Sequence, residues 1–334
     1  MKFKISFLIV FLLMSFRLAF ADTYGGFSMQ AVIPDNQVDK SKTYFDLRME
    51  PEQKQTVDLI VRNGGDKAIT AHLKVHTAST GRNGVIVYSP DIKNEEGLTV
   101  SVSEIAKVVP SEVSVPAGGE TIVKVEIDMP NKAFDGCILG GIHVMADVAG
   151  ENAAISQEGL QIENNYAYTM GLKITQNDNP VEADIILRDI APATVNYRPM
   201  VNLNLLNNSG VIIKGMKLTG QVYKGDSDEV LKRIEMTAVD MAPHSAFDAG
   251  IDWNDMPIEA GEYRLILNAE YGDKAWDWEE GFAIEPVKAN VVNMSSVYVD
   301  KNISKWIYAA VGVVVILLIF FIAYFLGRRK RKEV

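Results

Sequence analysis

"TVDLIVRNGGDKAITAHLKVH", Thr56 to His76, decides the fold. Val57, Leu59 and Val61 alternate with Thr56, Asp58 and Arg62, and the run stops at Asn63-Gly64-Gly65-Asp66. Beyond the turn, Ile69, Ala71, Leu73 and Val75 share one face, while Thr70, His72, Lys74 and His76 share the other. Side chains that alternate with period two around a Gly-rich break mean two half-buried antiparallel strands. The same signature recurs outward. "RNGV", Arg82 to Val85, holds an Asn-Gly hairpin turn, and "VPAGGE" leads into a strand with Val123, Val125, Ile127 and Met129 inward. Short alternating strands between Gly, Pro and Asn predict an antiparallel, immunoglobulin-like β-sandwich.

"FDGCILGG", Phe134 to Gly141, carries the only cysteine. Asp135-Gly136 turns the chain into a strand where Ile138, Gly140, Ile142, Val144 and Ala146 share a face. Gly140 and Gly141 are expected to admit a close neighbour rather than cradle a phosphate, since no helix follows them. Tyr166, Tyr168, Met170, Leu172 and Ile174 alternate likewise and read as the hairpin partner of 138–148, across the polar loop 149–163. That pairing sets the structural boundary at Gln176–Pro180, giving a first sandwich over 22–176 and a second over 180–290. In the second, Val201, Leu203 and Leu205, then Met216, Leu218 and Val222, then Tyr263, Leu265, Leu267 and Ala269 are the inward residues. Residues 291–305 read as a polar stalk.

The ends read as targeting segments. Lys2 and Lys4, the apolar run Ile5–Phe16 and Ala19-Phe20-Ala21 predict a signal peptide over 1–21. Trp306–Leu326 has no charge and would span about 31 Å as a helix. It precedes "RRKRK", Arg328 to Lys332, so a single membrane span is expected, with 327–334 as a basic cytoplasmic tail and the rest outside. The whole chain has net charge −10; without residues 1–21 and 306–334 it has 25 basic against 42 acidic residues, or −17. A nucleic-acid partner needs a basic stripe, and this balance excludes one. An exported chain with one cysteine makes no internal disulfide, so Cys137 reads as a small buried hydrophobe.

No catalytic constellation emerges. His72 and His76, four apart on a strand, are about 13 Å apart and cannot chelate together. "GDSDE", Gly225 to Glu229, lacks the length of an EF-hand loop and reads as a hairpin tip. No HExxH or GxSxG is present. No metal, cofactor or enzymatic activity is expected.

Several stretches together resemble the WxL-interacting proteins of Gram-positive bacteria. In the first half these are "YFDLRMEPEQKQTVDLIVRN", "TASTGRNGVIVY" and "MPNKAFDGCILGGI", similar to that family's peptidoglycan-binding domain. In the second they are "NNYAYTMGLKI", "MAPHSAFDAGI" and "AGEYRLILNAEY" with "WDWEEGFAI", similar to its host-binding domain. The family's own boundary falls near 150–160. His244 stands where Asn is usual, and Cys137 where an aliphatic residue is usual. None of the four tryptophans is followed by x-Leu, so the chain resembles the partner of WxL proteins and not one of them.

The resemblance implies a non-catalytic surface adaptor, membrane-anchored, that binds WxL-domain proteins and peptidoglycan, with host extracellular-matrix protein as a further ligand. A stand-alone adhesin for peptidoglycan or matrix is the alternative, and an enzyme acting on wall polymer a remote one. Three patches are the candidate partner-binding residues. The first is the corner of Asp135, Gly136, Gly140 and Gly141. The second is Met241, Ala242, Pro243, His244, Ser245 and Phe247, where a proline interrupts a strand pattern; both of these patches read alternatively as corners needed by the fold. The third is Trp276 with Trp278, on one side of a strand, either core or stacking platform.

Overall fold

The computed structural model describes residues 26–88, 100–148 and 166–297, together with 313–317, 319 and 321. Strands are numbered in chain order. The first sandwich packs two sheets face to face. One has the order β1 (Phe27–Ala31), β3 (Lys54–Asn63), β9 (Glu120–Asp128), β7 (Ala106–Val109). Its partner has the order β2 (Phe45–Arg48), β11 (Tyr166–Thr175), β10 (Cys137–Val148), β4 (Ile69–Thr77), β8 (Glu112–Val115). The alternation read at 57–75 is realised residue by residue: Val57, Leu59 and Val61 from β3 and Ile69, Ala71, Leu73 and Val75 from β4 are all buried. Each valine, leucine or isoleucine among them removed from water contributes about 1.5–3 kcal/mol, which makes the register of these strands hard to slip.

β10 and β11 form the expected hairpin, Ile138 opposite Ile174 and Ala146 opposite Tyr166. Gly140 and Gly141 are sites of close approach. A methyl on Gly140 would lie 2.5 Å from Val102 in the short helix α1 (Val102–Ile105), and one on Gly141 would lie 2.8 Å from the Tyr88 ring. One pairing departs from the purely antiparallel expectation, because β2 runs parallel to β11. The chain crosses from one sheet to the other between β1 and β2, and it enters the second sheet in the direction of β11. Alternation within a strand carries no information about the direction of its neighbour.

The second sandwich packs β12 (Ile185–Val195), β13 (Arg198–Asn207) and β16 (Ala246–Asp252) against β15 (Val230–Met241), β14 (Ile213–Lys224), β17 (Gly261–Tyr271) and β18 (Lys274–Ile284). Val201, Leu203, Leu205, Met216, Leu218, Val222, Leu265 and Leu267 make its core, all with no exposed surface. The first part of the expected stalk differs. Residues Pro286–Ser295 form a helix, α2, that buries Ala289 and Val292 against this core and is pinned by Asn293 Nδ2 donating to Ile258 O at 2.9 Å. Proline at its start is compatible with a first helical turn. Residues 298–305 lie outside the described residues.

The expected membrane-spanning helix is corrected. Among the described residues no helix is long and apolar enough to cross a membrane. Of 306–326, only 313–317, 319 and 321 are described. The single-pass topology with a cytoplasmic tail is withdrawn with it. The expected signal peptide, residues 1–21, lies outside the described residues.

Candidate functional site: a locked junction and a free edge

Two of the three predicted patches meet each other. A small hairpin of the first half, β5 (Ser79–Thr80) and β6 (Ile86–Val87), reaches across to the second sandwich. Gly84 at its tip, φ +68°, accepts the Asp240 N–H on its carbonyl at 2.7 Å; a methyl there would be 3.1 Å from both Met236 and Val239. Behind the tip, hydroxyls close a ring on the N–H and C=O of one residue, Ala242. The Ala242 N–H donates to Thr80 Oγ1 at 3.1 Å, and Thr80 and Ser245 share a short hydroxyl–hydroxyl bond. Ser245 in turn donates to Ala242 O at 2.9 Å. All three residues are buried, so the ring satisfies groups that would otherwise each cost about 1–3 kcal/mol. Arg82 adds Nη1 to Asp248 at 3.1 Å and Nη2 to Asn202 at 2.7 Å, at the rim.

The Asp135–Gly136 corner completes the junction from the other side. Gly136, φ +77°, sits so close to the second sandwich that a methyl would be 2.4 Å from Gly210 O. The Cys137 N–H donates to that same carbonyl at 2.8 Å. Asp135 Oδ1 accepts from Asn177 and Asn179, each at 2.9 Å, tying the connection between the sandwiches to the corner. Ala78, Leu139 and Ala242 are buried together with Ile86, Tyr88 and Ile212 packed on them, an apolar contact drawn from both halves. Clefts of about 410 Å³ and about 300 Å³ flank the corner, the first reached by Asp135, Glu182 and His244, the second by Cys137 and Lys173.

Burial here sets the chemistry. Cys137 is free, and burial pushes its thiol up to about 11, with Asp46 acting in the same direction and Lys173 against it. Burial lowers the pKa of His244, and its backbone is left-handed, φ +49°. His76 is also lowered, first by burial and then by Lys74 and His143.

Met241, Ala242, Pro243, Ser245 and Phe247, candidate partner-binding residues from sequence, are buried in the junction or the second core. The proline interruption is a tight turn between β15 and β16, and what covers it is this chain's own first half. Gly140 faces the first core and not solvent. Trp276 and Trp278 stand apart, half-buried on β18 and packed against the second core from one flank. Sequence reasoning missed Thr80, Arg82 and Gly210, although the Asn-Gly turn at 83–84 marked the hairpin that carries two of them. Among the described residues no group of three His, Cys, Asp or Glu could hold a metal ion.

Solved structures similar to the chain include the CsuC–CsuE chaperone–tip adhesion subunit pre-assembly complex of Acinetobacter baumannii, 11% identical over 76% of this chain and 97% of that one, TM-score 0.35. The CupB2 chaperone of Pseudomonas aeruginosa is 12% identical over 71% and 97%, TM-score 0.28. The PapD-like domain 7 of human CEP192 is 11% identical over 46% and 87%, TM-score 0.27. With TM-scores this low, the likenesses bear on neither fold nor function. No curated protein matches the sequence. Family matches are decisive: residues 27–146 match the peptidoglycan binding domain of the WxL Interacting Protein family, and residues 157–294 match its host binding domain. With both domains present in order over most of its length, the chain belongs to the WxL-interacting protein family.

Proposed function

We propose that this protein is a non-catalytic surface adaptor that holds a WxL-domain protein against the peptidoglycan wall. One observation carries the reading. The two matched binding domains are locked to each other by the β5–β6 hairpin, its hydroxyl ring and the Gly136–Gly210 contact. A ligand of one domain is thereby held at a fixed distance and angle from a ligand of the other, which raises the effective concentration of the second binding event. The domain division belongs to the same proposal: the first folding unit ends near residue 177, because β11 is a strand of the first sandwich. Of the contact residues chosen from sequence, Trp276 and Trp278 keep that role, and the other two patches serve the joint.

The test is a three-component assay with the full chain, purified sacculi and a recombinant WxL domain. The adaptor reading expects the WxL domain to sediment with sacculi far more in the presence of this protein. If sacculi and the WxL domain are each bound but never together, the protein is a stand-alone adhesin for one ligand at a time.

A further inference from the structure

Every sheet in a sandwich has two edges, and among the described residues most of them are blunted here. In the first sandwich the edge strands β1, β2, β7 and β8 have only 5, 4, 4 and 4 residues. In the second, β15 is bulged against β14 and meets the β5–β6 hairpin at its end, and that hairpin touches β16 through Arg82 and Asp248. β12 is bulged between Leu187 and Asp189, contains Pro192, and carries α2. Short, bulged, proline-bearing or covered edges are those that do not recruit another strand. β18 is neither short, bulged nor proline-bearing, and beyond its own sheet it meets β12, with Lys274 held by Glu182. It runs for 11 residues in unbroken register with β17 and, among the described residues, pairs on that side only.

Its face parity is informative. Trp276, Trp278, Glu280, Phe282 and Ile284 share the side that faces the core, since their partners on β17 include the buried Ala269, Leu267, Leu265 and Tyr263. Phe282 and Ile284 are buried and the tryptophans half-buried, but Glu280 is exposed and has no partner among the described residues. Asp277 and Glu279, on the other side, are held by Asn268 and Arg264. A carboxylate on the inward side of an edge strand repels any apolar strand that would bury it uncompensated. It also repels a second copy of β18, whose Lys274 is already held by Glu182. An incoming cation reverses the sign, so the same residue excludes most strands and selects one kind.

We propose that β18 is the docking edge for the WxL-domain partner, which adds an extended segment beside it, apolar side chains over Trp276 and Trp278 and a lysine or arginine facing Glu280. This rests on the adaptor reading. Main-chain bonds along the edge give affinity and the alternate side chains give selectivity.

The experiment measures amide hydrogen exchange of the full chain with and without a recombinant WxL domain, alongside calorimetry of Glu280→Lys, Glu280→Ala and Trp278→Ala. Slowed exchange in β18 is expected, with roughly tenfold or greater loss of affinity for Glu280→Lys and a smaller loss for Glu280→Ala. Glu280 is exposed and has no partner among the described residues, so its variants are expected to fold; Trp278→Ala is read only where its melting matches the parent. Tight binding with β18 exchange unchanged and Glu280→Lys at parental affinity overturns the docking edge and leaves the adaptor standing. No affinity of the parent for any WxL domain removes the adaptor reading, and the docking edge with it.

Discussion

A methyl group at Gly136 and one at Gly225 meet the same backbone penalty but different neighbours. Both glycines have positive φ, which costs an L-residue about 1–2 kcal/mol. At Gly225 the methyl meets nothing within 4 Å, whereas at Gly136 it would lie 2.4 Å from Gly210 O, a backbone atom that cannot swing aside. Gly225→Ala is therefore expected to lower stability by about 1 kcal/mol, and Gly136→Ala by about 3 kcal/mol or more, read from urea denaturation midpoints. At Cys137, a thiol raised to about 11 stays protonated at pH 8. Modification by a thiol reagent should be slow in the native protein and fast in urea; rapid native labelling would contradict the burial described.

His244 ties the junction to pH. Its folded pKa lies below the usual 6.5, because burial disfavours the imidazolium. Its contribution is thus fully present above 6.5 and is lost as pH falls through the lowered folded value, the unfolded chain binding the proton more readily. His76 acts with the same sign. The His244→Asn variant should lose less stability than the parent between pH 7.5 and 5, and Asn is among the residues that accept the left-handed backbone. Equal losses in the two proteins would show that His244 does not titrate differently on folding.

At the scale of elements, the β5–β6 hairpin is where sequence and structure part. Strand positions with one buried face, such as 57–61 and 201–205, are legible because period-two alternation reports a single core. Ser79 and Thr80 are buried on account of a second body docking on them, and a two-residue strand has no period to read. "MAPHSAF" was legible only in part for the same reason: its turn chemistry reads as a loop, but what covers the loop is more than a hundred residues away in sequence. α2 was obscured differently, since it buries only Ala289 and Val292 and leaves Val287, Val291 and Met294 exposed, a pattern with little amphipathic contrast. Thr80→Val tests the hairpin. It keeps the shape and removes the acceptor of the buried Ala242 N–H, so a loss of about 1–3 kcal/mol is expected, with faster proteolysis at 176–184. Unchanged stability and cleavage would mean that the ring does not hold the halves together.

For the whole molecule, the family boundary and the folding boundary differ. The first family match ends at 146, yet β11 at 166–175 brings Leu172 and Ile174, both without exposed surface, into the first core. A fragment of residues 26–146 should be insoluble or unfolded by circular dichroism, and one of 26–178 should melt cooperatively. A cooperative transition in the shorter fragment would place β11 outside the first folding unit.

The parallel pairing of β2 with β11 also orders events in time. β2 is made early, but its only long neighbour in the sheet is β11, so Phe45 waits for Leu172. While the chain is being synthesised, β2 and the β11 side of β10 stay open, and the first sandwich cannot close before residues 166–175, beyond the end of the first family match, have emerged. A chaperone that acts on this protein would meet it in that interval, holding β10 by the edge that β11 later takes.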